Sequence, residues 1–461
     1  NRDQLSSSKS VNKKRSYFTR ANLNILDRYL VTLTYRYDGI DKFFPDNKYA
    51  SFPSAALGWK VSKESFMQNL TFIDLLKIRA SIGITGDASN VINAAYGVFS
   101  PDVRDQAYFD NGATVYTPYY LTSIDLPNLQ WQKTLNTNIG IDFGLFRNRI
   151  SGSFDLFRDR ITNLLNSKTT PQLSMLTTIY ANGGQQIRQG WEVSLKTVNV
   201  STKNFQWDLI FNASHYLFRW EERYSNMGLQ SYVGEKDPVN AIYVFPTKGI
   251  IKIGDSIPAS QYTVANGMAA KPGCPIFVDR NGDDSITNAD VVMYNTDPDL
   301  IIGLGSNFRY KNFDLGIFFY SQFGAKDFNN AYAWANAKNF GSGNLNGTTA
   351  AIKDAWRIDN PNGTLPGAAY DEESLGMTAR SDVFVQSKDF IRCRNITLGY
   401  TFKPSVKKYF SSLRIYADVQ NPFIITDFKI IDPEIQYISV KGGSAPYPMA
   451  RTYSVGLTVN F

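Results

Sequence analysis

One short run in this 461-residue chain has the residue types of a metal-binding loop. From Asp279 to Asp290 it reads DRNGDDSITNAD, with oxygen-bearing side chains at loop positions 1, 3, 5, 7, 9 and 12. Calcium is a hard cation that takes several oxygen ligands from a loop wrapped around it. Asp279, Asn281, Asp283 and Asp290 would offer side chains, and Ser285 a backbone carbonyl. Asp284 stands at position 6, where glycine normally makes the sharp turn, so an altered turn is expected. The spacing predicts a structural calcium rather than a catalytic one, and no other cofactor is required. An Asp/Asn-rich turn without metal is the alternative.

Enzymatic chemistry finds little support. The chain has a single histidine, His215, within NASHYLF, just after a strand and with no Ser or Asp partner spaced to make a nucleophile–base pair. We read it as structural and assign no catalytic residue. Gly303-Leu-Gly305 is not followed by a phosphate-loop pattern. Cys274 and Cys393 match no zinc spacing, and the sequence leaves open whether they are bridged or free. The net charge of +7 is spread along the chain, so nucleic acid is not an expected partner. Tyr96, Tyr108, Tyr116, Tyr119, Tyr120, Tyr332, Trp334 and Phe340 lie in long loops. Such rings stack on sugars or anchor peptides; equally, they pack loops together or meet a partner protein.

The elements that would position these residues are strands. Tyr29, Val31, Leu33, Tyr35 and Tyr37 alternate with Thr32, Thr34 and Arg36. Ile78, Ala80, Ile82 and Ile84 alternate with Lys77, Arg79, Ser81 and Gly83. The same period of two runs through Leu135–Phe143, Trp191–Lys196, Leu413–Gln420 and Tyr453–Phe461. Short polar joins at Arg147–Arg149, Ser201–Asn204 and Lys311–Asn312 predict antiparallel hairpins. Between the pairs lie long irregular stretches at 85–125, 215–300, 324–388 and 422–450, rich in Gly, Asn, Asp, Pro and Tyr.

No stretch of about 18 apolar residues occurs, so spanning helices are not expected. Aromatics make up 14% of the chain, a usage that suits strands and membrane–water boundaries. Short joins on one side and long loops on the other describe an all-β, transmembrane antiparallel β-barrel. Lipid would meet the apolar face and the lumen the polar one, where Lys77, Arg79, Glu192 and Lys196 would form a solvated wall or touch solute. A soluble β-sandwich is the alternative, but its strands are shorter and its loops less lopsided.

Eight blocks, in order, carry a family resemblance. They are YLVTLTYRYDGIDKF (Tyr29–Phe43), FPSAALGWKVSKESFM (Phe52–Met67), LKIRASIGITGDA (Leu76–Ala88), the run Asn128–Leu165, IRQGWEVSLK (Ile187–Lys196), IRCRNITLGYTF (Ile391–Phe402), RIYADVQNPFIIT (Arg414–Thr426) and YPMARTYSVGLTVNF (Tyr447–Phe461). Together they resemble the SusC/RagA-like TonB-dependent outer-membrane transporters, and the terminal Phe461 resembles the signal read by the outer-membrane assembly machinery. The resemblance implies a plugged barrel of about 22 strands. It implies import of oligosaccharides or peptides driven by TonB, a SusD-like lipoprotein lid, and a dimer of transporter–lipoprotein pairs.

The chain itself shows about 14 strands, beginning near Tyr17, and no plug-like region. We therefore expect residues 1–461 to be the C-terminal part of such a barrel, with plug and first strands elsewhere and the N-terminal half as a partner. Residues 215–300 would be a long extracellular loop region holding the calcium-type motif. A self-closing passive porin and a surface adhesin or scaffold barrel are the alternatives.

Overall fold

A computed structural model describes residues 11–89, 96–101, 107–109, 114–116, 118–170, 176, 178–224, 229–264, 270–333, 348–367, 380–403, 411–435 and 449–461. Its strands, in chain order, are β1 (Lys14–Ile25), β2 (Tyr29–Ile40), β3 (Tyr49–Lys60), β4 (Ile73–Asp87), β5 (Val98–Pro101), β6 (Ala107–Phe109), β7 (Thr114–Tyr116), β8 (Tyr119–Ser123), β9 (Gln132–Leu145), β10 (Ile150–Thr169), β11 (Thr178–Ser201) and β12 (Phe205–Glu222). There follow β13 (Ala241–Phe245), β14 (Thr247–Ile250), β15 (Pro275–Phe277), β16 (Val292–Asn295), β17 (Leu300–Tyr310), β18 (Phe313–Phe323), β19 (Lys326–Phe328), β20 (Arg380–Ser381), β21 (Val385–Ser387), β22 (Phe390–Phe402), β23 (Ser412–Thr426) and β24 (Thr452–Asn460).

Thirteen of these form one sheet in the order β1-β2-β3-β4-β9-β10-β11-β12-β17-β18-β22-β23-β24. Every neighbour follows its predecessor with only loop strands between, as expected of an antiparallel meander. The chain divides into two compact units: Asn1–Asn148 with Ser153–Trp191 and Leu217–Leu229, and Arg149–Gly152 with Glu192–Tyr216 and Gln230–Phe461.

In the first unit the sequence alternation becomes a two-faced sheet. Val31 pairs with Leu23 and Leu57, Leu57 with Ala80, and Ala80 with Ile139, all on one face. Thr34, Ser54, Gly83 and Asn136 follow one another across the other. The apolar face is open, with Leu57 57% and Ile139 61% exposed. Tyr37 stacks on Tyr49 near the long-loop end of this face. A Cβ on Gly86 would overlap the tip of the Phe52 ring, so only glycine lets that ring come against β4, where it packs edge-on to Trp131. The buried cluster around Ile40, Phe43, Phe52, Leu129 and Trp131 ties the joins at this strand end together.

The second unit repeats the pattern. Trp207 pairs with Phe308 and Phe308 with Leu315, while Ile415 lies between Tyr400 and Leu457, all on an apolar face. Aromatic pairs gather near its short joins, Trp207 on Phe308 at 5.8 Å and Phe313 against Tyr400 at 4.8 Å. This unit also holds a compact loop module. β13 pairs antiparallel with β16 and parallel with β20, and β14 pairs with β15. Phe245, Ile251, Val264, Cys274, Phe277, Ile286 and Val291 form its buried core.

Two boundaries differ from the sequence reading. β12 continues to Glu222, so the loop region does not begin at 215, and His215 lies inside a strand rather than after one. The stretch 215–300 is also not irregular throughout, since β13 to β16 lie within it.

Candidate functional site

The polar face of the sheet is where side chains of opposite charge meet. In the first unit Lys77 donates to Asp142 at 3.2 Å. Arg79 bridges Asp142 and Asp155 at 2.8 Å each, across β4, β9 and β10. Asp159 accepts from Asn136 and from Arg188 at 2.8 Å. Half-burial strengthens such pairs relative to open solvent, and each strand is held in register by its neighbour's charge. Lys77 and Arg79 are thus bound into a network rather than standing as free solvated wall charges. Glu192 and Lys196 of β11, in the second unit, are exposed.

On the polar face of the second unit lies a cavity of about 640 Å³. Asp208, Arg309, Lys311, Asp314, Lys403 and Arg414 line it, with Asn307, Asn395 and Thr397 between them. Arg414 holds Asp314 in a two-pronged pair at 3.0 and 2.5 Å. A smaller cavity of about 470 Å³ in the first unit is lined by Arg20, Arg36, Asp38, Thr34, Ser54 and Asn136 among others. The larger suits a hydroxyl- or amide-rich solute more than an apolar one, whereas Phe52, Ile82 and Ile84 give the smaller a mixed wall.

A buried ion network escaped the sequence reading. Arg392 on β22 is 3% exposed and meets both carboxylate oxygens of Asp432 at 2.5 Å. Arg392 and Arg394 both pair with Glu434. Lys429 is fixed alongside by Asn329 and Gln386. These contacts hold the segment following β23 against β22. The signal was present as an arginine inside the alternating strand text IRCRNITL, but its partners lie 40 residues downstream.

The calcium-type run forms a turn closed by its own hydrogen bonds. Asp279 accepts from the N–H groups of Gly282 and Asp284. Asn281 accepts from Asp283, and Asp283 from Ser285. Gly282 and Asp284 both take positive φ, 74° and 56°, so Asp284 makes the left-handed turn expected of glycine at position 6. Asp290 is fully buried and accepts from Arg280 and Thr287 as part of a capping box. Among the described residues no three His, Cys, Asp or Glu groups converge into a metal-holding set. Asp279, Asp283 and Asp290 are therefore brought into one loop but not onto one point.

The remaining sequence candidates are scattered. His215 Nδ1 lies 2.5 Å from the Asp299 carbonyl oxygen, tying β12 to the residue before β17. Cys274 and Cys393 are buried free thiols, and burial pushes the Cys274 thiol up from its ordinary pKa. Tyr96 stacks on Phe44 at 4.6 Å, and Tyr332 packs edge-on against Phe384. Tyr119 and Tyr120 stand exposed on the small β5–β8 hairpin. Tyr108 and Tyr116 fall in paired β6 and β7. Trp334 and Phe340 lie outside the described residues.

Outside the sheet, two carboxyls are shifted in opposite directions. Hydrogen bonds from Trp59 and Tyr29, with Arg28 beside them, hold the Glu64 carboxyl below the ordinary carboxylate range. Burial pushes the Asp382 carboxyl up, against two hydrogen bonds that Thr247 donates to it.

A family profile described as "TonB dependent receptor-like, beta-barrel" matches residues 1–421. The chain is 32% identical over 460 residues to the TonB-dependent receptor SusC of Bacteroides thetaiotaomicron, covering 97% of this chain and 43% of that protein. It is 29% identical over 482 residues to the TonB-dependent receptor P3 of Formosa agariphila, covering 97% and 45%. A solved structure of the RagAB peptide transporter superposes with a TM-score of 0.78 at 19% identity, covering all of this chain and 50% of that one. The chain spans about half the length of the relatives it matches.

Proposed function

This chain belongs to the TonB-dependent receptor-like β-barrel family and is an outer-membrane protein, and from that premise we propose that it is the C-terminal wall of an active importer for large nutrients. Its cargo on this reading is an oligosaccharide or a peptide. Its partners are a SusD-like surface lipoprotein acting as lid, TonB, and the N-terminal half of the same barrel with its plug, assembled as a dimer of transporter–lipoprotein pairs.

The observation that carries the proposal is the 32% identity to SusC across nearly the whole chain. Two structural features support it. The sheet's order begins at β1 and ends at β24, and hydrocarbon tolerates no open sheet edge. Further strands would satisfy both edges, as the half-length match to the relatives suggests. The polar face of the second unit offers a large cavity lined mainly by charged and amide side chains. The test is deletion of the gene followed by growth and uptake on single oligosaccharides and peptides. Loss of uptake of one class, restored by the intact gene, is expected. Undiminished uptake of both classes would refute the import reading.

For the Asp279–Asp290 loop we propose calcium as the ion it would take. The support is its curled backbone, with position 1 accepting from position 6. Binding requires the Asp283 and Asp290 carboxylates to turn inward from their present partners. Melting of the unmutated protein at the same temperature in calcium and in chelator would remove the calcium claim. A calcium-dependent rise that Asp279→Ala with Asp283→Ala abolishes is the expected result.

A further inference from the structure

The segment that follows β23 holds a backbone conformation that one of its residues resists. Ile430 has a φ of 70°, and the N–H of Ile431 donates to the Lys429 carbonyl at 2.8 Å, so residues 429–431 close a γ-turn of the rare, strained hand. Leu26, Phe146, Arg147 and Lys311 also take positive φ, but in tight joins between paired strands that demand it. The other non-glycine residues with positive φ are Asn or Asp, which visit that region readily. Among the described residues Ile430 is the one β-branched side chain there. Such a conformation persists only where the surroundings over-determine it.

The surroundings do so here. Tyr320 shares the parity of Asp314 on β18 and pairs with Arg392, so Arg392 stands on the polar face. The segment that Arg392 grips through Asp432 and Glu434 therefore folds over that face. The Glu434 N–H donates to Asp432 at 3.0 Å, which braces the far side of the turn. On the near side Asn329, only 1% exposed, donates to the Lys429 carbonyl at 2.9 Å, and the Lys429 N–H donates to Gln386 at 3.0 Å. Phe428 is buried, and its N–H donates to the Thr426 hydroxyl, which in turn donates to the Asp389 carbonyl. Both flanks of the turn are clamped, yet Ile430 itself is 54% exposed and belongs to none of the buried clusters. Glycine or asparagine would make the same turn without strain. What isoleucine adds is a branched aliphatic side chain held out in water over the polar face.

We propose that Ile430 is a cargo-contact residue, presented by this clamped turn to an aliphatic side chain of a peptide. Isoleucine has no aromatic plane for a sugar ring to stack on and no hydrogen-bonding group in its side chain. The backbone N–H and carbonyl of Lys429 beside it are already taken. Apolar surface is all it offers, and an aliphatic side chain covers that surface better than a hydroxylated ring does. The inference rests on the import reading and narrows its cargo to peptides.

The experiment uses the full transporter with its plug and lid. Binding is measured for a leucine-rich peptide and a serine-rich peptide of equal length and charge. Ile430→Gly should weaken binding of the leucine-rich peptide about fivefold and leave the serine-rich one unchanged. Ile430→Val should keep both. Ile430→Gly should also melt no lower than the unmutated protein, because glycine takes positive φ without strain, whereas loss of a purely structural isoleucine would lower melting. In protein with Cys274 and Cys393 replaced by serine, Ile430→Cys should react with a water-soluble maleimide, and the leucine-rich peptide should slow that reaction. Unchanged peptide binding in Ile430→Gly, a lowered melting temperature, or an Ile430→Cys closed to the reagent before peptide is added would overturn the proposal and leave import standing. Uptake confined to oligosaccharides would do the same. Uptake of neither class would overturn the import reading and this inference with it.

Discussion

The strands of the first unit and the loop module of the second solve folding in opposite ways. Along β9 the apolar side chains face outward, and Ile139 is 61% exposed; in the module Phe277 and Ile251 are each 1% exposed. The module is an ordinary water-soluble core, with Phe245 edge-on to Phe277 and the buried Gln261 amide bonded to both the N–H and the carbonyl of Phe277. In the strand region the buried cluster of Ile40, Phe43, Phe52, Leu129 and Trp131 is confined to one strand end, and among the described residues the rest of this sheet has no such core. Its order comes from backbone ladders and from charge pairs such as Arg79 with Asp142 and Asp155. The difference shows that one chain was shaped by two solvents, hydrocarbon along the strands and water in the loops.

Substitutions can break that contrast. Phe277→Ala should cost the module about 3–5 kcal/mol through lost burial and a cavity. Its expected signature is early proteolysis between 230 and 300, with heat-modifiable mobility of the barrel unchanged; loss of both together would show that the module has no separate stability. Ile139→Arg should cost about 2–4 kcal/mol in bilayer, as a charge facing hydrocarbon does. Asn138→Arg on the other face of the same strand should be tolerated. Similar losses for the two, measured by refolding into vesicles, would contradict the assignment of faces.

The smallest effect is one of pH. Glu64 sits below the ordinary carboxylate range, so its contribution is present above that range and is lost as pH falls through the lowered value. Asp382 sits above it, so its contribution is present at low pH and is lost as pH rises through the raised value. Acid should therefore loosen the short join at 61–72, while rising pH loosens the packing that buries Asp382. Hydrogen exchange at the two places should move in opposite senses, and Asp382→Asn should flatten the second. The same sense at both would remove the contrast.

How much of this was legible in the sequence depends on the solvent each region meets. The alternation of Leu135–Phe143 or Leu413–Gln420 is forced by lipid on one side and water on the other, so faces and pairing could be read directly. β10, β11 and β12 run further than the sequence suggested, to Thr169, back to Thr178 and on to Glu222. In these extensions charged and apolar residues mix on the same face, as Leu156, Arg158 and Arg160 or Leu217 and Arg219 show, and the period disappears. The module's strands are two to five residues long, too short to show any period. One of its pairings, Val244 with Arg380, joins parallel segments far apart in sequence. The calcium-type loop was visible as spacing, whereas its internal hydrogen bonds were not. Arg392 was invisible as a site because its partners, Asp432 and Glu434, are set by tertiary folding alone.

The most direct test of the central claim is labelling of single cysteines placed in turn at positions 135 to 143 of β9 in native outer membranes, with Cys274 and Cys393 replaced by serine. A membrane-confined reagent should modify the odd positions and a water-soluble reagent the even ones. Labelling that does not alternate, or equal access of the water-soluble reagent to Ile139→Cys and Asn138→Cys, would contradict a sheet that faces lipid on one side and water on the other.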